Sequence, residues 1–148
     1  MRLGTLTFLK RPPHSLQVLR NPDPSFLQAK IDWSPWYLTE EEDMGQSPLQ
    51  GLVIEKFGSS LKLHFHRRQW DPRRVGFDNF FQFVEGEPKV QVSPDIFVLT
   101  GPPPDPLPRC YQTFSPDHPR PLAAVEIVSD ATWKKDYCAN PEKYAQLE

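Results

Sequence analysis

The chain has 148 residues, 38% of them hydrophobic and 24% charged, so it is long enough for one globular domain and too apolar to be disordered throughout. Its formal net charge of -2 excludes the overall positive charge of a non-specific nucleic-acid-binding protein, and any contact with nucleic acid must come from a local patch. Proline is frequent, at 18 residues, and its clusters predict loops or extended arms because proline lacks a backbone N–H.

The sequence contains no apolar run of the roughly 18 residues that a membrane span needs, and its N-terminus lacks the apolar centre of a signal peptide. The two cysteines, Cys110 and Cys138, have no metal-binding spacing and are predicted to be reduced thiols. These features predict a cytoplasmic protein without a membrane association.

The N-terminal part predicts an extension rather than a site. Residues 1–30 are proline-rich and are predicted to be a separate extension of the domain that follows, residues 31–148. The acidic run at 40–43 is interpreted as a solvated face, with metal binding as the minor alternative. His64 and His66 are interpreted as surface residues at a helix end.

The clearest local signal predicts a helix over Pro48–Arg67. Ser47 is a favourable N-cap, Pro48 suits the first helical position, and Gln50 stands where a capping box places its second residue. Apolar residues then recur at helical spacing. They are Leu49, Leu52, Val53, Phe57, Leu61 and Phe65. Gly58 either costs this helix about 1 kcal/mol relative to alanine or lets another element approach closely.

Three strands are predicted after this helix. Residues 75–84 and 90–99 form two apolar runs joined by a turn at 85–89, which indicates an antiparallel hairpin. A long proline-rich loop at 100–121 leads to a third strand at 122–129. A loop of that length in a small domain is commonly functional.

Two of these strands each carry one carboxylate, Asp95 and Glu126. An acid in an apolar strand is costly to bury unless it has a partner, and a divalent cation can serve as the partner of both. If both point to one face of a sheet, they could bind Mg²⁺ or Mn²⁺ and support attack on a phosphodiester. The alternative is a structural protein with one or two buried acids.

The one basic and aromatic cluster lies between helix and strands. Arg67, Arg68, Arg73 and Arg74 flank Trp70, a composition that could bind phosphates. The alternative is a solvated helix end, where cations are favoured by the helix dipole.

Several segments resemble a known family. The runs VSPDIFVL, AAVEIVS and NPEKYAQL, together with YLTEEEDMGQSPLQGL upstream, are similar to the Uma-two family of bacterial restriction endonucleases, within the PD-(D/E)XK nuclease superfamily. The similarity covers about three quarters of the chain. It implies an α+β fold with a restriction-endonuclease-like core, in which a mixed β-sheet is flanked by helices. It also implies a Mg²⁺-dependent endonuclease acting on DNA, with Asp95 and Glu126 as catalytic metal ligands.

The resemblance leaves the catalytic lysine open. The superfamily commonly has a lysine two residues after the glutamate, where this chain has Val128. Uma-type members commonly have it four residues before a tyrosine, where this chain has Asn140 before Tyr144. Lys143 is the nearest candidate for the catalytic residue. Further candidates are Lys134 and Lys135 for the lysine, and Glu55 or Gln50 as a completing residue on the first helix.

Two departures favour a second hypothesis, a catalytically degenerate module that binds nucleic acid or protein. One is the missing lysine, and the other is that the chain has Glu148 where the family continues with a glycine and a further strand. The domain is therefore expected to lack its final strand. Nucleases of this type often act as dimers, so a homodimer is also compatible with the resemblance.

Overall fold

The computed structural model of the chain describes Tyr37, residues 47–129, Trp133, Asp136, Tyr137 and residues 140–147. The predictions made for residues 1–30, the acidic run 40–43, Lys134, Lys135 and Cys138 lie outside the described residues.

Helix α1 spans Pro48–Arg67, as predicted. Its N-cap forms because the Ser47 hydroxyl accepts a hydrogen bond from the Gln50 backbone N–H at 3.2 Å. The second half of the capping box does not form, since the Gln50 side chain instead donates to the Ile127 carbonyl at 2.9 Å. The start of α1 is thereby attached to the segment that follows the last strand.

The apolar residues whose spacing predicted α1 do not form its buried face, apart from Phe65. Leu49, Leu52, Val53 and Phe57 are exposed, and the face that packs on the sheet instead carries Ile54, Gly58 and Phe65. Apolar residues occur on more than one side of this helix, so their spacing alone does not select the face.

Gly58 selects the face by its size. A Cβ atom at this position would overlap the aromatic ring of Phe77 on the first strand. The interpretation that Gly58 lets another element approach closely is therefore confirmed, because the missing side chain admits the strand next to the helix.

Both predicted strands of the hairpin are divided in two. Strands β1 (Val75–Phe77) and β2 (Phe80–Gln82) form the first arm, and β3 (Gln91–Val92) and β4 (Ile96–Leu99) form the second. The antiparallel arrangement is confirmed, since β1 pairs with β4 and β2 with β3. The break in the first arm coincides with Asp78, whose φ of 48° is left-handed.

The two halves of the hairpin nevertheless share one register. Phe77 pairs with Ile96 and Phe81 with Val92, so four positions separate the pairs on each arm and no residue is inserted. The hairpin thus passes from one sheet into another, and Asp95 lies at this transition.

The described residues form two three-stranded sheets, instead of the single mixed sheet expected. Strand β5 (Cys110–Gln112) lies within the predicted loop and pairs in parallel with β2, giving the mixed order β3-β2-β5. Strand β6 (Pro121–Val125) pairs antiparallel with β4, giving the order β1-β4-β6. The fold class is α+β, as predicted.

Strand β4 separates two clusters of core residues, because alternate side chains of a strand point to opposite faces. Ile96 and Val98 pack with Ile54 and Phe65 of α1. Phe97 and Leu99 pack on the other side with the second sheet. The second cluster also contains Phe81, Phe83, Val90, Val92, Tyr111 and Leu147.

The described C-terminal segment closes this second cluster. Helix α2 covers Asn140–Tyr144, and Tyr144 and Leu147 pack on the second cluster. Asn140 is the first residue of α2, and its amide contacts other side chains, described below. Among the described residues, no helix is both long and apolar enough to cross a membrane.

Candidate functional site

The register of β4 and β6 brings the two predicted carboxylates together. Ile96 pairs with Val125, so Asp95, just before β4, and Glu126, just after β6, are the next opposed positions. Directly opposed residues of antiparallel strands project from the same face. The acids thus lie at adjacent strand ends, whereas both were expected within the strands. At a strand end, each carboxylate can also receive hydrogen bonds from neighbouring backbone.

Backbone groups fix the two carboxylates relative to each other. The Asp95 backbone N–H donates to Glu126 Oε2 at 3.3 Å. The Ile127 backbone N–H donates to Asp95 Oδ2 at 2.6 Å, which is short for an N–H···O hydrogen bond and fits a carboxylate acceptor. Because the Asp95 N–H holds the Glu126 carboxylate and the Ile127 N–H holds the Asp95 carboxylate, the pair is part of the connection between β4 and β6.

Two side chains of α2 complete the surroundings of Glu126. Asn140 Nδ2 donates to Glu126 Oε1 at 3.0 Å, and the Tyr144 hydroxyl donates to the same oxygen. The two residues are four positions apart, so they lie on one face of a helix. Asn140 Nδ2 also donates to Asp136 Oδ1 at 3.1 Å. The resemblance singled out the positions of Asn140 and Tyr144, but Asp136 carried no signal in the sequence.

The electrostatics of the pair favour a protonated glutamate in the absence of a cation. Burial raises the pKa of Glu126 from 4.5 to about 7, the Tyr144 hydrogen bond opposes this rise, and the charge of Asp95 adds to it. The pKa of Tyr144 is also raised, mainly by burial and by the charge of Glu126, so the phenol remains a donor.

Asn140 places a buried side-chain oxygen at this site. Asn140 is only 1% exposed, and its Oδ1 has no partner among the described residues. Turning the amide over would place this oxygen against the carboxylates of Glu126 and Asp136, so the hydrogen bonds of Nδ2 fix the orientation. An unsatisfied buried carbonyl oxygen is costly and suits a donor group or a cation.

The lysine predicted by the resemblance has no counterpart at its two usual positions. Val128 is 42% exposed beyond the carboxylate pair, and Asn140 is the residue that contacts Glu126 from α2. Lys143 is a buried residue of α2, about 100° around the helix from its neighbour Tyr144. Its catalytic role stays a prediction.

Gln50 and Glu55, the two candidates on α1 to complete the site, have different environments. Gln50 contacts Ile127, whose backbone holds Asp95, so Gln50 lies beside the carboxylate pair. Glu55 is exposed further along the helix.

The four arginines of the basic cluster do not form one free surface. Arg74 Nε donates to the Leu99 carbonyl at 2.8 Å, and Arg73 forms an ion pair with Asp71 at 2.7 Å. Arg67 and Arg68 are exposed at the end of α1. Only these last two keep the character predicted for a phosphate-binding patch.

This cluster lies at the opposite end of β4 from the carboxylates. Arg74 bonds to Leu99 at the end of β4, whereas Asp95 precedes its first residue. Four residues at roughly 3.3 Å each separate the two ends by about 13 Å. The carboxylate pair and the arginines are therefore separate features of the surface.

Comparison of the chain with protein-family models, with curated proteins and with solved structures found no match. Among the described residues, there is also no group of three or more histidine, cysteine, aspartate or glutamate side chains arranged to hold a metal ion. The functional argument therefore depends on the carboxylate pair and its amide and phenol neighbours.

Proposed function

We propose that this domain is a Mg²⁺- or Mn²⁺-dependent endonuclease that hydrolyses phosphodiester bonds in DNA, with Asp95 and Glu126 as its metal ligands. The observation that supports this proposal best is the β4–β6 register, which opposes the two carboxylates at adjacent strand ends.

The donor set fits a hard divalent cation. Mg²⁺ prefers oxygen ligands and commonly uses one or two carboxylates together with water. The site offers the carboxylate oxygens of Asp95 and Glu126 and, nearby, Oδ1 of Asn140, for which the described part of the chain provides no hydrogen-bond donor. The raised pKa of Glu126 reflects burial of negative charge beside Asp95, and a cation would favour the charged form.

Neighbouring residues of the chain position the two carboxylates. Ile127 orients Asp95 through its backbone N–H, while Asn140 and Tyr144 orient Glu126 through one of its two oxygens. Lys143 is proposed as the catalytic lysine that stabilises developing negative charge on the phosphate, a role that the resemblance assigns to a lysine on this helix. A bound divalent cation supplies activation of water and stabilisation of charge on the phosphoryl group.

The contact with DNA is proposed to extend to Arg67 and Arg68. These exposed cations lie at the end of α1 away from Gln50, and α1 has 20 residues, about 30 Å at 1.5 Å per residue. A duplex that reached from the carboxylates to this end would span roughly nine base pairs at 3.4 Å per step. Arg73 and Arg74 contribute less directly, because both already have partners in the fold.

A second candidate function is a DNA-binding module without turnover. The observation that favours it is Asn140, which stands at the lysine position of the resemblance and uses its amide to connect Glu126 with Asp136. An amide cannot provide the positive charge of a lysine. Such a module would bind DNA through Arg67 and Arg68 and would leave the strands intact.

Cleavage of a labelled DNA duplex, with Mg²⁺, Mn²⁺ or EDTA, separates the two candidates. The nuclease proposal expects metal-dependent cleavage that Asp95→Asn and Glu126→Gln each reduce by more than the roughly 10- to 100-fold typical for loss of a supporting residue. Glu142→Gln, which removes an exposed carboxylate from α2, is the matched control and should cleave as the wild type does.

The binding-module candidate expects a different result in the same assay. The protein would bind the DNA without cleaving it. The double variant Arg67→Ala/Arg68→Ala would weaken this binding, whereas Arg73→Ala would not. Cleavage that persists in Asp95→Asn and Glu126→Gln would contradict the nuclease proposal.

A further inference from the structure

A cleft with both polar and apolar walls lies at the end of β4 that is remote from the carboxylate pair. It has a volume of about 580 Å³ and is walled by Thr100, just after β4, and by residues 113–120, which connect β5 to β6. Ligand sites commonly have volumes of about 300–1,000 Å³. The cleft lies in the long loop region of the sequence and is not used by the function proposed above.

The walls of the cleft are fixed by backbone hydrogen bonds. The Thr100 backbone N–H donates to the Arg120 carbonyl at 2.8 Å, and the Arg120 N–H donates to the Thr100 hydroxyl at 3.2 Å. Two successive turns follow, in which Ser115 donates to Gln112 at 2.9 Å and His118 donates to Ser115 at 3.3 Å. A ligand would therefore meet a preformed surface and would have little chain to order on binding.

His118 presents an oriented donor. Its Nδ1 accepts a hydrogen bond from the Gln112 backbone N–H at 2.9 Å, so in the neutral ring the proton is on Nε2. The ring also contacts Tyr111 edge-on, with centroids 6.0 Å apart. Among the described residues, none accepts a hydrogen bond from Nε2, and the backbone bond fixes the ring in the wall of the cleft.

Three further side chains give the cleft a mixed chemistry. Arg120 is exposed, and its guanidinium has no ion-pair partner in the part of the chain that the structure describes. Phe114 exposes 37% of its surface in the same wall. Asp117, also exposed, supplies acceptor oxygens. The cleft is thus lined by two groups that can donate hydrogen bonds to an anion, His118 and Arg120, and by an aromatic ring and a carboxylate.

We propose that this cleft binds one nucleotide, with its base stacked on Phe114 and its phosphate held by Arg120 and the Nε2–H of His118. Asp117 accepts hydrogen bonds from sugar hydroxyl or base amino groups. Inorganic phosphate alone would leave the Phe114 face and Asp117 without contacts, which is why a nucleotide fits better. The nucleotide can be free or can be the phosphorylated end of a single strand, since both offer a base and a terminal phosphate.

The proposal is tested by binding in EDTA, so that its outcome does not depend on the metal site. The probes are thymidine monophosphate, thymidine, inorganic phosphate, and a fluorescent single-stranded oligonucleotide with and without a 5′-phosphate. Saturable binding of the monophosphate, with thymidine and phosphate each weaker by about tenfold or more, is expected. Preference for the 5′-phosphorylated strand over the monophosphate would identify the strand end as the ligand.

Variants locate the binding. Arg120→Ala and Phe114→Leu are each expected to weaken binding about tenfold, because the first removes the cation that holds the phosphate and the second removes the aromatic ring on which the base stacks. Phe114→Tyr, which keeps the ring, should bind as the wild type does. Arg109→Ala removes an exposed arginine that does not line the cleft and is the matched control.

Three results would overturn the proposal. They are an absence of saturable nucleotide binding, equal binding of inorganic phosphate and nucleotide, and equal loss in Arg109→Ala and Arg120→Ala. Because both substituted arginines are exposed, their variants are expected to fold, and a thermal melt of each verifies this.

Discussion

The raised pKa of Glu126 predicts how the stability of the metal-free protein depends on pH. The folded chain holds a proton on Glu126 up to about pH 7, whereas in the unfolded chain this carboxyl titrates near its ordinary pKa of 4.5. Between these values the folded state binds more protons, so the free energy of unfolding falls as the pH rises. The stabilisation that comes from the protonated Glu126 is complete below pH 4.5 and is lost as the pH rises through about 7.

The size of this effect follows from the shift in pKa. The difference between 4.5 and about 7 is about 2.5 units, and one unit corresponds to 1.36 kcal/mol, so Glu126 accounts for a loss of about 3 kcal/mol. Glutamine at this position cannot titrate. Glu126→Gln should therefore lack this part of the pH dependence, whatever the variant costs at a single pH.

Urea unfolding in EDTA between pH 4.5 and pH 8 measures both curves. The difference in the free energy of unfolding, wild type minus Glu126→Gln, is expected to fall by about 3 kcal/mol across this range. Other titrating groups cancel in the difference. Glu142→Gln, in which the exposed carboxylate of α2 is replaced, should follow the wild type. Parallel curves for wild type and Glu126→Gln would refute the reasoning, because they would mean that Glu126 titrates alike in both states.

Three more predictions concern packing and charge. Gly58→Ala should lower the free energy of unfolding by about 1–3 kcal/mol, because its Cβ overlaps the ring of Phe77. In urea melts, the same substitution should cost less in a Phe77→Ala background than in the wild type. Asn140→Asp replaces a hydrogen-bond donor to Glu126 by a carboxylate, so it should destabilise the protein by roughly 1–3 kcal/mol at pH 8. Thermal melts should show that stability partly recovers near pH 5. An unchanged melting temperature at pH 8 would contradict the hydrogen bond. Arg74→Ala removes the donor to a strand carbonyl and a cation packed 5.6 Å from an aromatic ring, and calorimetry should show a loss of about 1–2 kcal/mol, whereas a purely solvated arginine would show none.

Local signals in the sequence determined the elements of this protein well. Ser47 and Pro48 predicted the start of α1, because an N-cap and a proline at the first turn act through atoms within a few residues. The apolar runs on either side of residues 85–89 predicted the hairpin and its antiparallel pairing. The apolar runs 90–99 and 122–129 drew attention to Asp95 and Glu126, since a carboxylate in an apolar stretch requires a partner.

Tertiary structure decided how these elements face one another. The apolar spacing of α1 suggested a stripe through Leu49 and Phe57, yet the helix turns Gly58 toward the sheet, because only a residue without a side chain admits the ring of Phe77. Strand β5 was missed because its three residues pair with a distant strand and carry little local signal of their own. The break of the hairpin at Asp78 likewise depends on which sheet each half joins.

The candidate site shows the same division. The sequence identified both carboxylates, but only the register of β4 against β6 opposes them, and only the docking of α2 brings Asn140 and Tyr144 to Glu126. These contacts join residues from 14 to 31 positions apart. Partners at such separations are chosen by the packing of the whole domain, which no short stretch of sequence encodes by itself.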